Sequence, residues 1–199
     1  MKISKPLLIG GVVGLLLAVA FYFVSNQLRP PELHGIVMQS PNPAPNFTLM
    51  GADGQEVDLR DFRGKFVMLY FGYTFCPDVC PSTLNDVRKA VEQLGDEAED
   101  LQVVMVSVDP NRDTPEMVDA YVKKFNPTFV GLTGSTEQVL AAATPLGIFY
   151  EAHIDEGDNY PVDHTASIIG IDADGYVRYI FPYGITSEEM ASDLAYLLR

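Results

Sequence analysis

Two stretches of this chain are almost free of polar residues. Phe66-Val67-Met68-Leu69-Tyr70-Phe71 is one, and Leu101-Gln102-Val103-Val104-Met105-Val106-Ser107-Val108 is the other. A strand that reads this way is buried on both faces, which requires cover on each side of its sheet. Between the two runs, Leu84, Val87, Val91 and Leu94 fall on one helical stripe. Strand, amphipathic helix and second strand form a right-handed crossover between parallel neighbours. Any fold of this chain is built around that unit.

The flanking segments extend it. Residues 46–59 hold two short alternating runs around Ala52-Asp53-Gly54, a hairpin signal. Thr114-Pro115-Glu116 opens a helix, with Thr114 as N-cap and Pro115 at its first position. Residues 129–132 read as a short strand and 136–143 as a helix. Residues 166–171 and 176–181 flank Asp172-Ala173-Asp174-Gly175 as a second hairpin, and Ser187-Glu188-Glu189 caps a terminal helix through residue 198. Strands alternating with helices, closed by a late hairpin, predict an α/β, thioredoxin-like fold with an N-terminal hairpin.

The N-terminus is of another kind. Residues 7–24 are an uncharged apolar run of 18 residues, long enough as a helix to span about 27 Å. Lys2 and Lys5 precede it and no acidic residue appears before Glu32, so the N-terminus is expected in the cytoplasm and the remainder outside. Ala18-Val19-Ala20 resembles a leader cleavage site, but Phe21-Tyr22-Phe23-Val24 carries the apolar run past that cut. The expectation is a single, uncleaved N-terminal transmembrane helix. Five prolines in residues 29–45 then predict an extended tether reaching at most about 50 Å. The division is residues 1–28 as cytoplasmic stub and anchor, 29–45 as tether and 46–199 as the globular domain.

Charge narrows the partners. Of 27 Asp+Glu and 13 Lys+Arg, residues 46–199 hold 26 and 10, a net −16 for that domain. Such a surface is unsuited to nucleic acid and is repelled by anionic lipid. It suits a protein partner with a basic face, and the membrane only through the N-terminal helix.

Chemistry centres on the two cysteines, too few for a disulfide scaffold. They lie in Gly72-Tyr73-Thr74-Phe75-Cys76-Pro77-Asp78-Val79-Cys80-Pro81. A helix running through Pro77 would carry Pro81 in its interior, so the helix is expected to begin at Pro81 with both cysteines on the loop before it. There the helix dipole favours thiolate, the form that attacks disulfides and binds metal. A structural disulfide would close only a tiny loop and gain little. A thiol–disulfide oxidoreductase ordinarily spaces its cysteines by two residues, not three. A soft-metal site is the third reading. Asp163-His164, just before the predicted strand 166–171, is expected to reach the cysteine loop through the fold. Two thiolates and an imidazole suit Cu(I). Zinc stays open, with Asp78 or Asp163 as a fourth ligand.

The cysteine motif, the run Ser107-Val108-Asp109-Pro110-Asn111-Arg112-Asp113-Thr114-Pro115, and Val162-Asp163-His164 together resemble the SCO/SenC family, from about residue 43 to the C-terminus. The resemblance implies a membrane-anchored, thioredoxin-like copper-binding protein, with Cys76, Cys80 and His164 as copper ligands. It implies delivery of copper to the binuclear centre of cytochrome c oxidase, with subunit II as partner, or preparation of the cysteines there. A periplasmic copper carrier is a further candidate partner. The implied location is the inner (cytoplasmic) membrane, single-pass, with the domain facing the periplasm. The rival readings are a thiol–disulfide reductase, in which Cys76 and Cys80 are the redox-active pair, and a copper or redox sensor.

His34 and His153 read as solvent residues. The segment from Asp109 to Thr114 reads as a turn and helix cap. It lies at the carboxyl end of a parallel strand, on the cysteines' edge, which also suits docking.

Overall fold

The computed structural model describes residues 14–23 and 33–199. Residues 14–23 are helical. Lys2, Lys5 and the rest of the 7–24 run lie outside the described residues, and among those described no helix is long and apolar enough to cross a membrane.

The second unit runs from Leu33 to Arg199. Its main sheet has the strand order β1 (Ile36–Val37), β10 (Val177–Phe181), β9 (Ile168–Ile171), β4 (Phe66–Gly72), β5 (Leu101–Ser107), β6 (Val130–Leu132). Strand β4 (Phe66–Gly72) lies inside it, parallel to β5 (Leu101–Ser107) in the register Phe66↔Leu101 to Gly72↔Ser107. All seven residues of β4 are buried, and in β5 only Gln102 is not. The two apolar runs are thus the buried parallel pair expected. Short β6 (Val130–Leu132) continues the parallel side. On the other side β9 (Ile168–Ile171) pairs antiparallel with β4, and β10 (Val177–Phe181) with β9. The turn between them is closed by Gly175, which donates to the Asp172 carbonyl at 2.7 Å with φ of 79°. This is a mixed α/β, thioredoxin-like arrangement.

Helix α1 (Val79–Leu94) joins β4 to β5 and buries Leu84, Val87, Val91 and Leu94, the predicted stripe. It packs on α4 (Ser187–Leu197), while α2 (Pro115–Val122) packs on β5 and β6. Thr114 caps α2 by accepting from Met117 N, as predicted. Helix α3 (Thr136–Ala143) matches its predicted bounds. The cap of α4 is Thr186, not Ser187. Its hydroxyl accepts from Glu189 N, and Glu189 accepts in return from Thr186 N. The threonine takes the cap because its hydroxyl is placed to reach the third helical N–H.

The predicted N-terminal hairpin forms from β2 (Thr48–Met50) and β3 (Glu56–Asp58), as a separate two-stranded sheet. One correction concerns the segment before it. Residues 33–45, read as tether, are paired with the domain. β1 (Ile36–Val37) is the edge strand beside β10, and Met38 and Ala44 donate to Arg178 O and Gly175 O, each at 2.9 Å. The physical reason is the open edge of β10. Residues 36–38 contain no proline and can donate to it, whereas Pro41, Pro43 and Pro45 sit where an edge segment tolerates missing donors. The globular unit begins near residue 33 rather than 46.

Candidate metal centre

At the end of β4 the chain leaves the sheet through residues 73–78. Thr74 fastens this loop to the buried carboxylate of Asp113, with its backbone N donating at 3.0 Å and its hydroxyl to the other carboxylate oxygen. Asp113 also accepts from the Ser107 hydroxyl at the end of β5. The predicted turn at 109–114 therefore holds the cysteine loop as well as capping α2.

Helix α1 begins at Val79, two residues before Pro81, which corrects the expectation that both cysteines lie outside it. Pro81 is the third helical residue. First-turn N–H groups have no intrahelical acceptor, so its missing donor costs nothing, and residue 77 precedes the helix, so the ring meets no helical carbonyl. The two cysteines consequently differ. Cys76 stays on the loop, half-buried, while Cys80 sits in the first turn, fully buried. Cys80 N donates to Cys76 Sγ at 3.4 Å, and the two sulfurs are not bonded to each other.

Their acidities part accordingly. Burial pushes the Cys80 thiol up to about 12, only partly opposed by the Tyr70 hydroxyl and the Tyr73 backbone. Burial also opposes ionisation of Cys76, but the N–H groups of Cys80 and Asp78, with the Tyr73 hydroxyl, outweigh it and leave that thiol below its ordinary value. Cys76 ionises first, and Cys80 gives up its proton in exchange for a stronger electrophile such as a cation.

A glycine makes room for this pair. A Cβ on Gly72 would stand 2.8 Å from Tyr70 Cε1 and 3.0 Å from Cys80 Sγ. Only a residue without a side chain lets the first turn of α1 lie against the end of β4 here.

The third group comes from a small ribbon. β7 (Tyr150–Ala152) pairs antiparallel with β8 (Val162–His164), outside the main sheet. His164 thus ends a strand rather than lying on a loop, but it does reach the cysteines. Its Nε2 is 3.4 Å from Cys80 Sγ, across 84 positions of sequence. Its Nδ1 lies 3.1 Å from Thr165 O. A carbonyl can only accept, so Nδ1 carries the hydrogen and the Nε2 lone pair faces the sulfur. Burial lowers the His164 pKa, which keeps the ring neutral. Tyr70 and Tyr73 pack edge-on against it, centroids 6.1 and 5.9 Å away.

Ligand atoms of Cys76, Cys80 and His164 all lie within 4.8 Å of one another. Among the described residues this is the one such group of His, Cys, Asp or Glu. Neither Asp78 nor Asp163 joins it. Asp163 points elsewhere along the strand and accepts from or pairs with His153 Nε2 at 2.9 Å, an attraction that raises the His153 pKa. Three soft donors without a carboxylate suit a three-coordinate soft ion better than tetrahedral zinc.

The SCO1/SenC family model matches residues 38–199. The chain belongs to the SCO1/SenC family. A SCO2-like protein of Rickettsia felis is 34% identical over 179 residues, covering 85% of this chain and 87% of that protein. Apo Sco1 of Thermus thermophilus superposes with a TM-score of 0.76 at 39% identity, covering 82% of this chain and 96% of that one. ScoI of Bradyrhizobium japonicum, solved with copper bound, gives 0.70 at 32% identity, covering 78% and 99%.

Within this SCO-family chain several supporting contacts lay beyond sequence reasoning. His34, read as a solvent residue, places Nδ1 2.8 Å from the buried carboxylate of Asp193 on α4. Arg112, within the segment read as a turn and helix cap that also suits docking, is 12% exposed at its side chain and is turned into the cluster beside the site. The visible signal for Arg112 was its i,i+3 spacing from Asp109.

Proposed function

We propose that this SCO-family chain is a copper metallochaperone of cytochrome c oxidase assembly. Cys76, Cys80 and His164 take Cu(I), and the protein passes it to the binuclear copper centre of oxidase subunit II. The observation that carries this reading is the 3.4 Å approach of His164 Nε2 to Cys80 Sγ, with its Nδ1 committed to Thr165 O. A dithiol enzyme has no need of that lone pair. The donor set fits copper on its own chemistry: two sulfurs and a neutral imidazole, one thiol already inclined to ionise. Cys76 on a half-exposed loop supplies the side from which an incoming ligand displaces the first. Copper bound in ScoI of Bradyrhizobium japonicum supports the same assignment. The uncharged run at residues 7–24 supports an anchor in the inner membrane, with the acidic domain facing the periplasm.

One observation favours a second reading. A half-exposed cysteine of lowered pKa beside a buried one of raised pKa is the asymmetry of an attacking and a resolving thiol. In that reading the protein reduces the oxidase's copper cysteines. Cu(I) titration of the reduced full-length protein in detergent separates the two. The chaperone requires one-to-one binding that His164→Ala weakens by on the order of 100-fold while thiol–disulfide exchange persists. Unchanged copper affinity without His164 would leave the reductase.

A further inference from the structure

His164 belongs to a ribbon of three residue pairs that does not join the main sheet. Ribbons of this size are marginal by themselves, so something else must fix the imidazole against the rigid first turn of α1. Val162 and Tyr160 seat the ribbon in the core, and the loop after β5 supplies a directional polar tie. Asp109, 1% exposed, accepts from Arg112 Nε at 2.5 Å with one carboxylate oxygen and from Tyr160 OH at 2.7 Å with the other. The Arg112 guanidinium lies over the Tyr160 ring, 3.6 Å from its centroid, and Nη1 donates to Asp158 O at 3.2 Å. Two rings of the cysteine loop also lie near it, Phe75 at 5.0 Å and Tyr73 at 5.8 Å. One side chain therefore touches both the loop carrying Cys76 and the segment leading into β8. From Tyr160 the link to Val162 passes through Pro161, whose fixed φ transmits position with little slack.

The energetics point away from a simple stabilising pair. Arg112 Nη2 is buried with no acceptor, so the guanidinium has lost water without full compensation. A buried ion pair with an unmet donor is a weak source of stability, and conformational specificity is the better account of its presence. We propose that Arg112 is a positioning residue, which through the Asp109–Arg112–Tyr160 clamp sets the approach of His164 to the cysteines. The proposal rests on the copper reading above.

The test uses the full-length reduced protein in detergent, with Arg112→Met, Arg112→Lys and Tyr160→Phe, each also combined with His164→Ala. In the metal-free protein, Arg112→Met should speed amide exchange at Val162, Asp163 and His164 while leaving β4 unchanged. Cu(I) affinity, read by competition with a chromophoric chelator, should fall about 10- to 100-fold, the usual range for groups that orient ligands. Arg112→Lys, which keeps the charge but neither the stack nor the fork, should recover only part of that loss. In the His164→Ala background Arg112→Met should cost nothing further. Wild-type affinity in Arg112→Met, or an equal loss with and without His164, overturns the clamp. Should Arg112→Met fail to fold, Tyr160→Phe, lacking one hydroxyl, decides by the same two readouts. If wild type takes up no Cu(I), the copper reading falls, and amide exchange in the metal-free protein still decides the clamp.

Discussion

The site is shared by two regions of opposite build. Cys80 stands on α1 where it meets β4, seven buried residues in register with a buried parallel neighbour. His164 stands on β8, paired only with the three residues of β7. Cys80 is placed by the seam of α1 and β4, whereas His164 is placed by a short ribbon that reaches the core through Val162 and is tied by polar side chains around Tyr160. The contrast suits the proposed metallochaperone, which would have to release what it binds. A ligand placed by the core stays put, while one placed by a ribbon and a clamp can yield to a competing group.

Amide exchange gives the widest separation. Residues of β4 and β5 should exchange only through global unfolding and those of β7 and β8 through local opening, with protection differing by at least on the order of 100-fold. Equal protection would dissolve the distinction. Next comes Leu84→Ala, which removes a fully buried side chain of α1 beneath the cysteine turn. It should destabilise the fold by about 2–5 kcal/mol in chemical denaturation, against about 1.5 kcal/mol for Val162→Ala on β8. Val162 is also buried, so a variant costing as much as the Leu84 variant would mean that the ribbon is anchored as firmly as α1.

The smallest effect is a pH dependence that sharpens the contrast between the cysteines. The folded Cys80 pKa, about 12, lies above the unfolded thiol value near 9, so the native state holds a proton that the unfolded state releases. That contribution is complete below about pH 9 and is lost as pH rises from there toward 12. In reducing buffer, wild type should lose stability faster than Cys80→Ala between about pH 9 and 10.5. Parallel curves would show that Cys80 ionises as easily as a solvated thiol.

Much of the fold was legible because its signals are local. The apolar runs at 66–71 and 101–108, the stripe on α1 and the Thr114 cap depend on residues a few positions apart, and each appears where expected. The edge pairing of residues 36–37 was not legible, because what recruits them is the open side of β10, more than 140 positions away. The ribbon of β7 and β8 escaped for a related reason. Three-residue strands carry too short an alternation to stand out. Within the site, the motifs drew attention to Cys76, Cys80 and His164 and the family resemblance implied them as a ligand set, while the residues alone left a dithiol reading open. The start of α1 was misplaced, because a proline favours the first helical position but forfeits no intrahelical bond at the third.

Sequence by itself determined the chemistry available here: two thiols, one imidazole and an acidic domain around them, all properties of side chains that no fold can alter. The tertiary structure decided how the thiols differ and how the histidine is held. Acidity depends on burial and on which N–H groups face a sulfur, and those are set by where α1 starts against β4. The reach of His164 depends on contacts among segments 39 to 84 residues apart, which no local pattern encodes.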